Sequence, residues 1–191
     1  MARGKESTEF LKECMSDALI KLMEDRSIEK IAIKQITRLA GVGRSTWFRH
    51  FSAKEDALTY KLTVLWKRWE EERGFSENQL VARLDPHEFF LFNYENRALL
   101  KKLCDAELQR CIYDAFCLAV MNLSDTTPLE YYRSRFYAYG VFGLLGEWIK
   151  RDFRESPDEM VELFRQIMTD GLSPKNALGN KDTNRPTLSG S

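Results

Sequence analysis

The basic residues of this chain concentrate in one short stretch near the N-terminus. Between Lys30 and Lys54 the sequence has six basic residues and no acidic one, although the formal net charge of the whole chain is zero. Hydroxyl and imidazole side chains lie in the same stretch, at Ser45, Thr46 and His50. Positive charge combined with short polar side chains suits the phosphates and base edges of a nucleic acid. A basic run is also compatible with a solvated surface. The secondary structure of this stretch must therefore distinguish the two interpretations.

The pattern around these residues predicts two short helices joined by a glycine turn. Ile36 and Leu39 give the first helix an apolar stripe, and Gly41 can adopt the positive φ of a helix C-terminus. Gly43 is an acceptable N-cap for a second helix over about residues 44–50. This arrangement is a helix-turn-helix, and it favours the nucleic-acid interpretation of the basic stretch.

The second helix divides its side chains between two faces. Trp47 and Phe51 are four residues apart and can both face inward. The side chains left outward or flanking are those of Arg44, Ser45, Thr46, Phe48, Arg49 and His50. We expect Arg44, Ser45, Thr46 and Arg49 to contact bases, and Lys34, His50 and Lys54 to contact phosphates. Phe48 is also predicted to belong to the DNA-binding surface. For His50 a phosphate contact is favoured over catalysis, because no carboxylate or nucleophile accompanies it nearby in the sequence.

The stretch Ala40–Leu58, with sequence AGVGRSTWFRHFSAKEDAL, resembles the DNA-binding segment of TetR-type transcriptional regulators, whose usual pattern is A-G-V-S-x-G-T-L-Y-x-H-F-x-x-K-E-x-L. Trp47 stands at the Leu position of that pattern, which favours the core over a DNA contact. Three residues depart from the family: Gly43 replaces Ser, Phe48 replaces Tyr, and Ala32 replaces the Thr that opens the preceding helix. Each departure removes a hydroxyl group that would bond a phosphate or cap a helix.

The remaining sequence predicts helices throughout, so we expect an all-α protein. Apolar residues recur with helical period from Ser7 to Glu24, and helices are predicted over about 53–73, 128–153 and 157–170, with two or three more between Pro86 and Leu123. Capping boxes are predicted at Ser52/Glu55, Asp85/Glu88, Thr127/Glu130 and Ser156/Glu159. The predicted domains are a helix-turn-helix DNA-binding domain over 1–53, a helical regulatory and dimerisation domain over 54–171 with a connecting helix over 54–74, and a disordered tail over 172–191.

The last two predicted helices carry more apolar surface than one packing partner would cover. The earlier of the two also holds interior glycines at Gly140, Gly143 and Gly146, each of which costs about 1 kcal/mol relative to Ala. Close approach of another helix would compensate for them, although they would equally make room for side chains of the same chain or for a ligand. The residues predicted to dimerise are Gly140, Gly143, Trp148, Phe164, Ile167 and Met168. The resemblance implies the same arrangement, because TetR-type proteins dimerise through their last two long helices as a four-helix bundle.

Aromatic residues are abundant between the connecting helix and the helices that follow it. A regulatory pocket between these helices would be apolar and aromatic, with a few polar groups. The predicted ligand-binding residues are Trp66, Trp69, Phe90, Asn93, Tyr94, Tyr113, Phe116 and Tyr137. The alternative is that these rings only fill the core.

Several other classes of protein are disfavoured by the sequence. It has no G-x-S-x-G, Walker-type loop or H-E-x-x-H motif, so we expect neither an enzyme nor a cofactor. Four cysteines without a CxxC pair and only two histidines make a metal site improbable, and the cysteines are interpreted as small buried side chains rather than a redox switch. The most apolar run, Val141–Ile149, is too short to span a membrane and contains Glu147, and the N-terminus lacks a signal-peptide core. We therefore expect a cytoplasmic protein that does not enter membranes.

The sequence and the resemblance together predict a homodimeric transcriptional regulator that binds a palindromic operator in double-stranded DNA. We expect a repressor that is released by a small apolar effector bound in the C-terminal domain. The alternative is a coregulator or activator of the same fold that responds to a partner protein.

Overall fold

The computed structural model describes residues 2–74, 85–120 and 127–170. Across these residues the chain is helical and contains no β-strand, which confirms the all-α prediction. The helices are α1 (Ala2–Leu22), α2 (Ile33–Leu39), α3 (Arg44–His50), α4 (Lys54–Glu72), α5 (Pro86–Glu95), α6 (Arg97–Asp105), α7 (Gln109–Val120), α8 (Pro128–Lys150) and α9 (Pro157–Asp170), with a 3-10 turn at Ile28–Lys30. The predicted tail over 172–191 lies outside the described residues.

The first three helices pack around a small apolar core. Met15 and Leu19 of α1, Ile36 of α2 and Trp47 of α3 are all fully buried. The predicted inward position of Leu39 is wrong, because its side chain is 47% exposed. Ile36 is the fully buried apolar residue of the seven-residue α2, and Ile33 packs partly buried against the same core, whereas Leu39 is the last residue of the helix.

Helix α4 belongs to both halves of the chain. It packs against α1 on one side and against α7 on another. Lys61 of α4 pairs with Asp17 of α1 at 2.6 Å, and Arg68 pairs with Glu13. Apolar residues on both sides of the predicted boundary at residue 53 form one continuous cluster, so α4 joins the two halves through a shared core. The boundary itself stays a prediction.

The C-terminal helices assemble around Trp148 of α8. The indole ring lies 5.6 Å from the ring of Phe90 on α5 and 4.8 Å from that of Phe153, measured between centroids, and its N–H donates to the carbonyl of Glu155. Helix α8 ends at Lys150 rather than at the predicted Phe153, because Asp152 and Phe153 adopt φ values of 60° and 53°. This left-handed turn sends α9 back against α5.

Two of the four predicted capping boxes form with both reciprocal hydrogen bonds. They are Thr127/Glu130 at the start of α8 and Ser156/Glu159 at the start of α9. The box at Ser52/Glu55 is wrong, because Asp56 instead accepts the N–H groups of Ser52 and Ala53, each at 2.9 Å.

The box at Asp85/Glu88 is half formed. Asp85 accepts the N–H of His87 at 2.9 Å, but the Glu88 carboxylate does not bond back to the cap. It accepts the indole N–H of Trp69 at 3.0 Å and pairs with Arg73 at 2.8 Å. A tertiary contact with α4 has therefore replaced the local one.

Candidate nucleic-acid interface and regulatory site

Helix α3 follows a glycine turn and packs against the protein through its apolar face. Gly41 adopts φ +69°, a conformation that favours glycine, and Gly43 is the extended N-cap residue of α3. Trp47 is fully buried and Phe51 is 4% exposed, with 5.2 Å between their ring centroids. These features agree with the sequence analysis, and they fix which face of α3 points away from the protein.

The outward face of α3 carries the side chains that were predicted to contact DNA. Arg44, Ser45, Phe48 and Arg49 are exposed, whereas Thr46 and His50 are half-buried. Phe48 is 59% exposed and the Arg44 guanidinium lies 5.8 Å from its ring centroid. An exposed surface of two guanidinium groups, hydroxyls and one aromatic ring can hydrogen-bond base edges and phosphates and can contact thymine methyl groups.

The cations of α3 also differ from many of those elsewhere, because they have no carboxylate partner among the described residues. In the described part of the chain, Arg44 and Arg49 have no carboxylate within salt-bridge distance. Outside this region many cations are paired, for example Arg110 with Asp114 at 2.8 Å. Unpaired cations on one surface leave a local positive potential, which is the electrostatic requirement for binding a polyanion.

His50 is placed where its charge is disfavoured. Burial lowers the pKa of its imidazole, and the nearby positive charges of Lys12 and Arg49 lower that pKa further. Lys12 itself lies 3.7 Å from the ring centroid of Tyr60. His50 is therefore mainly neutral at pH 7, and a contact with phosphate would be a hydrogen bond rather than an ion pair.

Lys54 has partners within the protein. Its ammonium group donates hydrogen bonds to the carbonyl of Ile28 and, at 3.3 Å, to that of Ile31. It thereby ties the first residue of α4 to the 3-10 turn that precedes α2. The predicted phosphate contact remains untested, but the structure gives Lys54 a role in holding the domain together that the sequence did not indicate.

A small apolar cavity lies beside α4, where the regulatory pocket was predicted. Its volume is about 40 Å³. The residues that line it come from five helices and are Leu62, Trp66, Phe89, Phe92, Asn93, Leu100, Ile112, Ala115, Phe116 and Leu145. Asn93 is the only amide among them, and its Nδ2 donates to the carbonyl of Phe89 at 2.7 Å. The indole N–H of Trp66 is buried and has no hydrogen-bond partner among the described residues.

The structure places three of the eight predicted ligand residues on this cavity, namely Trp66, Asn93 and Phe116. Phe90 and Tyr137 line a smaller void of about 10 Å³, which Phe116 also borders. The other three residues line neither space, because they make tertiary contacts that could not be predicted from the sequence.

Trp69, Tyr94 and Tyr113 are not on the cavity. The N–H of Trp69 is bonded to Glu88, and Tyr94 stacks on Trp148 at 6.0 Å between centroids. Tyr113 stacks on Tyr139 at 5.0 Å. The aromatic residues therefore form several separate clusters rather than one pocket.

The predicted dimerisation residues differ in how exposed they are. Gly140 and Gly143 lie on the exposed side of α8, and nothing in the described part of the chain comes within 4 Å of a Cβ atom built on either. Met168 is 54% exposed, whereas Phe164 and Ile167 are half-buried. Among the described residues, therefore, no side chain occupies the space that these glycines leave.

Trp148 must be removed from the predicted dimer surface. It is 1% exposed within a single chain and packs against α5, so it has no free surface for a partner. The sequence missed instead a row of exposed apolar side chains on α8, spaced by three or four residues on one helix face. They are Leu129 (65% exposed), Tyr132 (70%), Phe136 (65%) and Tyr139 (59%).

Other kinds of site are not indicated in the described residues. No group of three or more His, Cys, Asp or Glu side chains is arranged there to hold a metal ion. Within the same residues, no helix is both long and apolar enough to cross a membrane. All four cysteines are free, and burial raises the pKa of the Cys104 and Cys111 thiols, which makes them less reactive.

Comparison with known proteins bears on the helices after α4. A family model for the C-terminal region of TetR-type transcriptional regulators matches residues 87–170, which cover α5 to α9. The resemblance in the DNA-binding segment lies in a separate stretch, Ala40–Leu58. These two stretches together support a TetR-type transcriptional regulator. A search of curated proteins found no match. The matched region contains eight of the ten residues that line the cavity and the exposed face of α8, whereas Leu62, Trp66 and α3 lie outside it.

The residues of the cavity and of the α8 surface that sequence reasoning missed are ordinary apolar side chains. Leu62, Ile112, Ala115 and Leu145 line the cavity, yet nothing in their type or spacing distinguishes them from other core residues. The exposed row on α8 could have been found from the sequence, because Leu129, Tyr132, Phe136 and Tyr139 recur at helical spacing. A periodic pattern identifies a shared face but does not say whether that face is covered.

Proposed function

We propose that this TetR-type regulator is a dimeric repressor that binds a palindromic operator through α3 and is released when its C-terminal domain binds an effector. The observation that carries the proposal is the division of α3 into a buried Trp47 and an exposed, unpaired basic face with Arg44 and Arg49. A helix anchored in this way can enter the major groove with its polar side chains forward. A symmetric dimer would present two such helices to two half-sites.

The exposed apolar face of α8 supports the dimer. Its four large side chains and the open glycines form one strip, and α9 adds Leu163, which is 44% exposed, and Met168. An apolar strip of this kind marks an interaction surface. A second copy of the chain would cover it by close approach at Gly143, where a helix can come nearer than it can to a residue with a side chain.

Helix α4 supports the link between effector and DNA. Trp66 lines the cavity. Lys61, five residues before it, and Arg68, two residues after it, form the ion pairs that tie α4 to α1. A ligand that displaced Trp66 would shift α4, and the ion pairs would carry α1 and the packed α2–α3 pair with it. This is a rigid-body transition of the kind that switches other regulators.

The chemistry of the cavity restricts the effector. None of its lining residues is ionisable, and burying a charge there would be costly. The unpartnered N–H of Trp66 and the amide of Asn93 can each meet a polar atom of the ligand. We therefore expect an uncharged, mainly apolar molecule with at least one hydrogen-bond acceptor. A volume of about 40 Å³ holds little more than a few water molecules, so the lining side chains must move apart to admit it.

The same small volume supports a second candidate, in which the C-terminal domain responds to a partner protein and the regulator acts as a coregulator or activator. A thermal-shift screen with neutral apolar compounds distinguishes the two mechanisms. A ligand that raises Tm should bind more weakly to Trp66→Phe, which keeps a ring but removes the N–H. Trp69→Phe is the matched control, because its N–H is already bonded to Glu88. If no compound shifts Tm while a pull-down captures one protein, the effector mechanism is wrong.

The DNA-binding part is tested first, by selecting bound fragments from genomic DNA with the purified protein. We expect a pseudo-palindromic sequence, because a symmetric dimer binds two related half-sites. Arg44→Ala should weaken binding to that sequence by about 1–3 kcal/mol and should change binding to random DNA little. Equal losses on both DNAs would show that Arg44 does not contact bases.

A further inference from the structure

A second basic surface lies beside the DNA-binding helix, between the end of α1 and the outer face of α2. It is a cleft of about 590 Å³. The six residues that line it are Leu22, Arg26, Lys34, Gln35, Arg38 and Leu39. Three of them are cations and none is acidic, so the cleft concentrates positive charge. Only Lys34 was predicted from the sequence to contact DNA.

The positions of the three cations keep them close together. Lys34 and Arg38 are four residues apart on α2, so their side chains lie on the same helix face, and Arg26 approaches from the segment after α1. All three are exposed, and none has a carboxylate within salt-bridge distance in the described residues. Like charges held together without a counter-charge repel one another, and a bound anion relieves that repulsion.

The uncharged lining also fits one kind of anion. Leu39 is 47% exposed and Leu22 is half-buried, so the lining also presents apolar surface. Gln35 accepts the N–H of Ala32 through its Oε1 at 2.9 Å, which leaves its NH₂ group as a donor. A nucleic-acid backbone presents anionic phosphate oxygens next to apolar sugar carbons, and these two features match the cations and the leucines that line the cleft.

We propose that this cleft binds a backbone phosphate of operator DNA that flanks the bases contacted by α3, with Arg26 and Arg38 as phosphate contacts in addition to Lys34. The inference rests on the proposed DNA-binding function. DNA is favoured as the source of the phosphate because Lys34 and Arg38 belong to the same acid-free stretch as Arg44 and Arg49. A phosphate contact on α2 fixes the position of the domain on the duplex without selecting a sequence.

The test is the salt dependence of binding by the double variant Arg26→Gln/Arg38→Gln in the full-length protein. Each phosphate contact contributes about 0.9 to the slope of log K against log salt concentration, so the slope should fall by nearly 2 for each protomer bound. Affinity for the operator and for random duplex should fall by the same factor, leaving their ratio unchanged. Arg26→Lys/Arg38→Lys, which keeps both charges, should retain the wild-type slope.

The control variant is Arg110→Gln/Arg154→Gln, which removes two exposed arginines from α7 and from the turn before α9. It changes the net charge equally but lies outside the helix-turn-helix, so its slope should match the wild type. A slope for Arg26→Gln/Arg38→Gln equal to that of this control, in a protein that still selects its operator, overturns the inference and leaves the proposed function intact. A wild-type protein that selects no DNA sequence would instead refute the proposed function.

A duplex with single uncharged methylphosphonate linkages locates the contact. Wild-type protein should lose affinity when one particular flanking phosphate is replaced, and the double glutamine variant should be insensitive to the same replacement. If both proteins lose affinity equally at every flanking position, the cleft does not hold a DNA phosphate.

Discussion

Replacing Phe136 by Ala tests whether the exposed face of α8 is a dimer interface. Phe136 is 65% exposed in the single chain. Full burial of a side chain of this size is worth about 1.5–3 kcal/mol, so burying its exposed two-thirds in an interface would contribute about 1–2 kcal/mol. A two-fold axis makes each contact occur twice, which brings the expected loss to about 2–4 kcal/mol. The dissociation constant of the dimer should therefore rise by about 30-fold to 1,000-fold.

The measurement is the dimer dissociation constant from sedimentation over a range of protein concentrations. The chain offers a matched control in Phe10 of α1, which is 67% exposed but lies in the other half of the molecule. Phe10→Ala removes the same atoms from an equally exposed position, so it should leave the dissociation constant unchanged. Circular dichroism of both variants should match the wild type, because neither ring belongs to the core.

Two results would contradict this reasoning. A wild-type protein that is monomeric at micromolar concentration would exclude a stable dimer. A dissociation constant for Phe136→Ala within about threefold of that for Phe10→Ala would place the interface elsewhere, since even the lower estimate predicts a larger change. Gly143→Leu gives an independent check at the open glycine, where added bulk should separate two helices that pack closely.

Three further predictions concern the N-terminal half of the chain. Lys54→Met should lower the free energy of unfolding by about 1.5–3 kcal/mol in urea titrations, because it removes charge-assisted bonds to two carbonyls; an unchanged midpoint would show that those bonds contribute nothing. Gly41→Ala should lower the free energy of unfolding by about 1–2 kcal/mol through its φ of +69° alone, since the space around it is open, and an unchanged urea midpoint would show that alanine adopts this φ without strain. The pKa of His50 is lowered in the folded state, so the unfolded chain binds more protons than the folded one. The free energy of unfolding should therefore fall as the pH drops below about 6.5. Between pH 7.5 and 5.5, Tm should fall less for His50→Gln than for the wild type.

The sequence determined the features that depend on neighbouring residues. The positive φ of Gly41, the N-cap role of Gly43 and the inward position of Trp47 all follow from local geometry and helical period, and the structure has them. The reciprocal caps at Thr127 and Ser156 are of the same kind. Such features could be predicted because the interacting groups are only a few residues apart, so the helix itself fixes their distance.

Only the tertiary structure decided which partner a helix face meets. Trp148 was predicted to face another subunit, but the turn at Phe153 brings α9 and α5 around it and buries it within one chain. Lys54 was assigned to phosphate, yet its nearest acceptor is the carbonyl of Ile28, 26 residues earlier. Helical period states which residues share a face, whereas the crossing of helices distant in sequence determines what covers that face. For the same reason the sequence indicated an aromatic regulatory domain but not that the cavity would form at Trp66 rather than at Trp69.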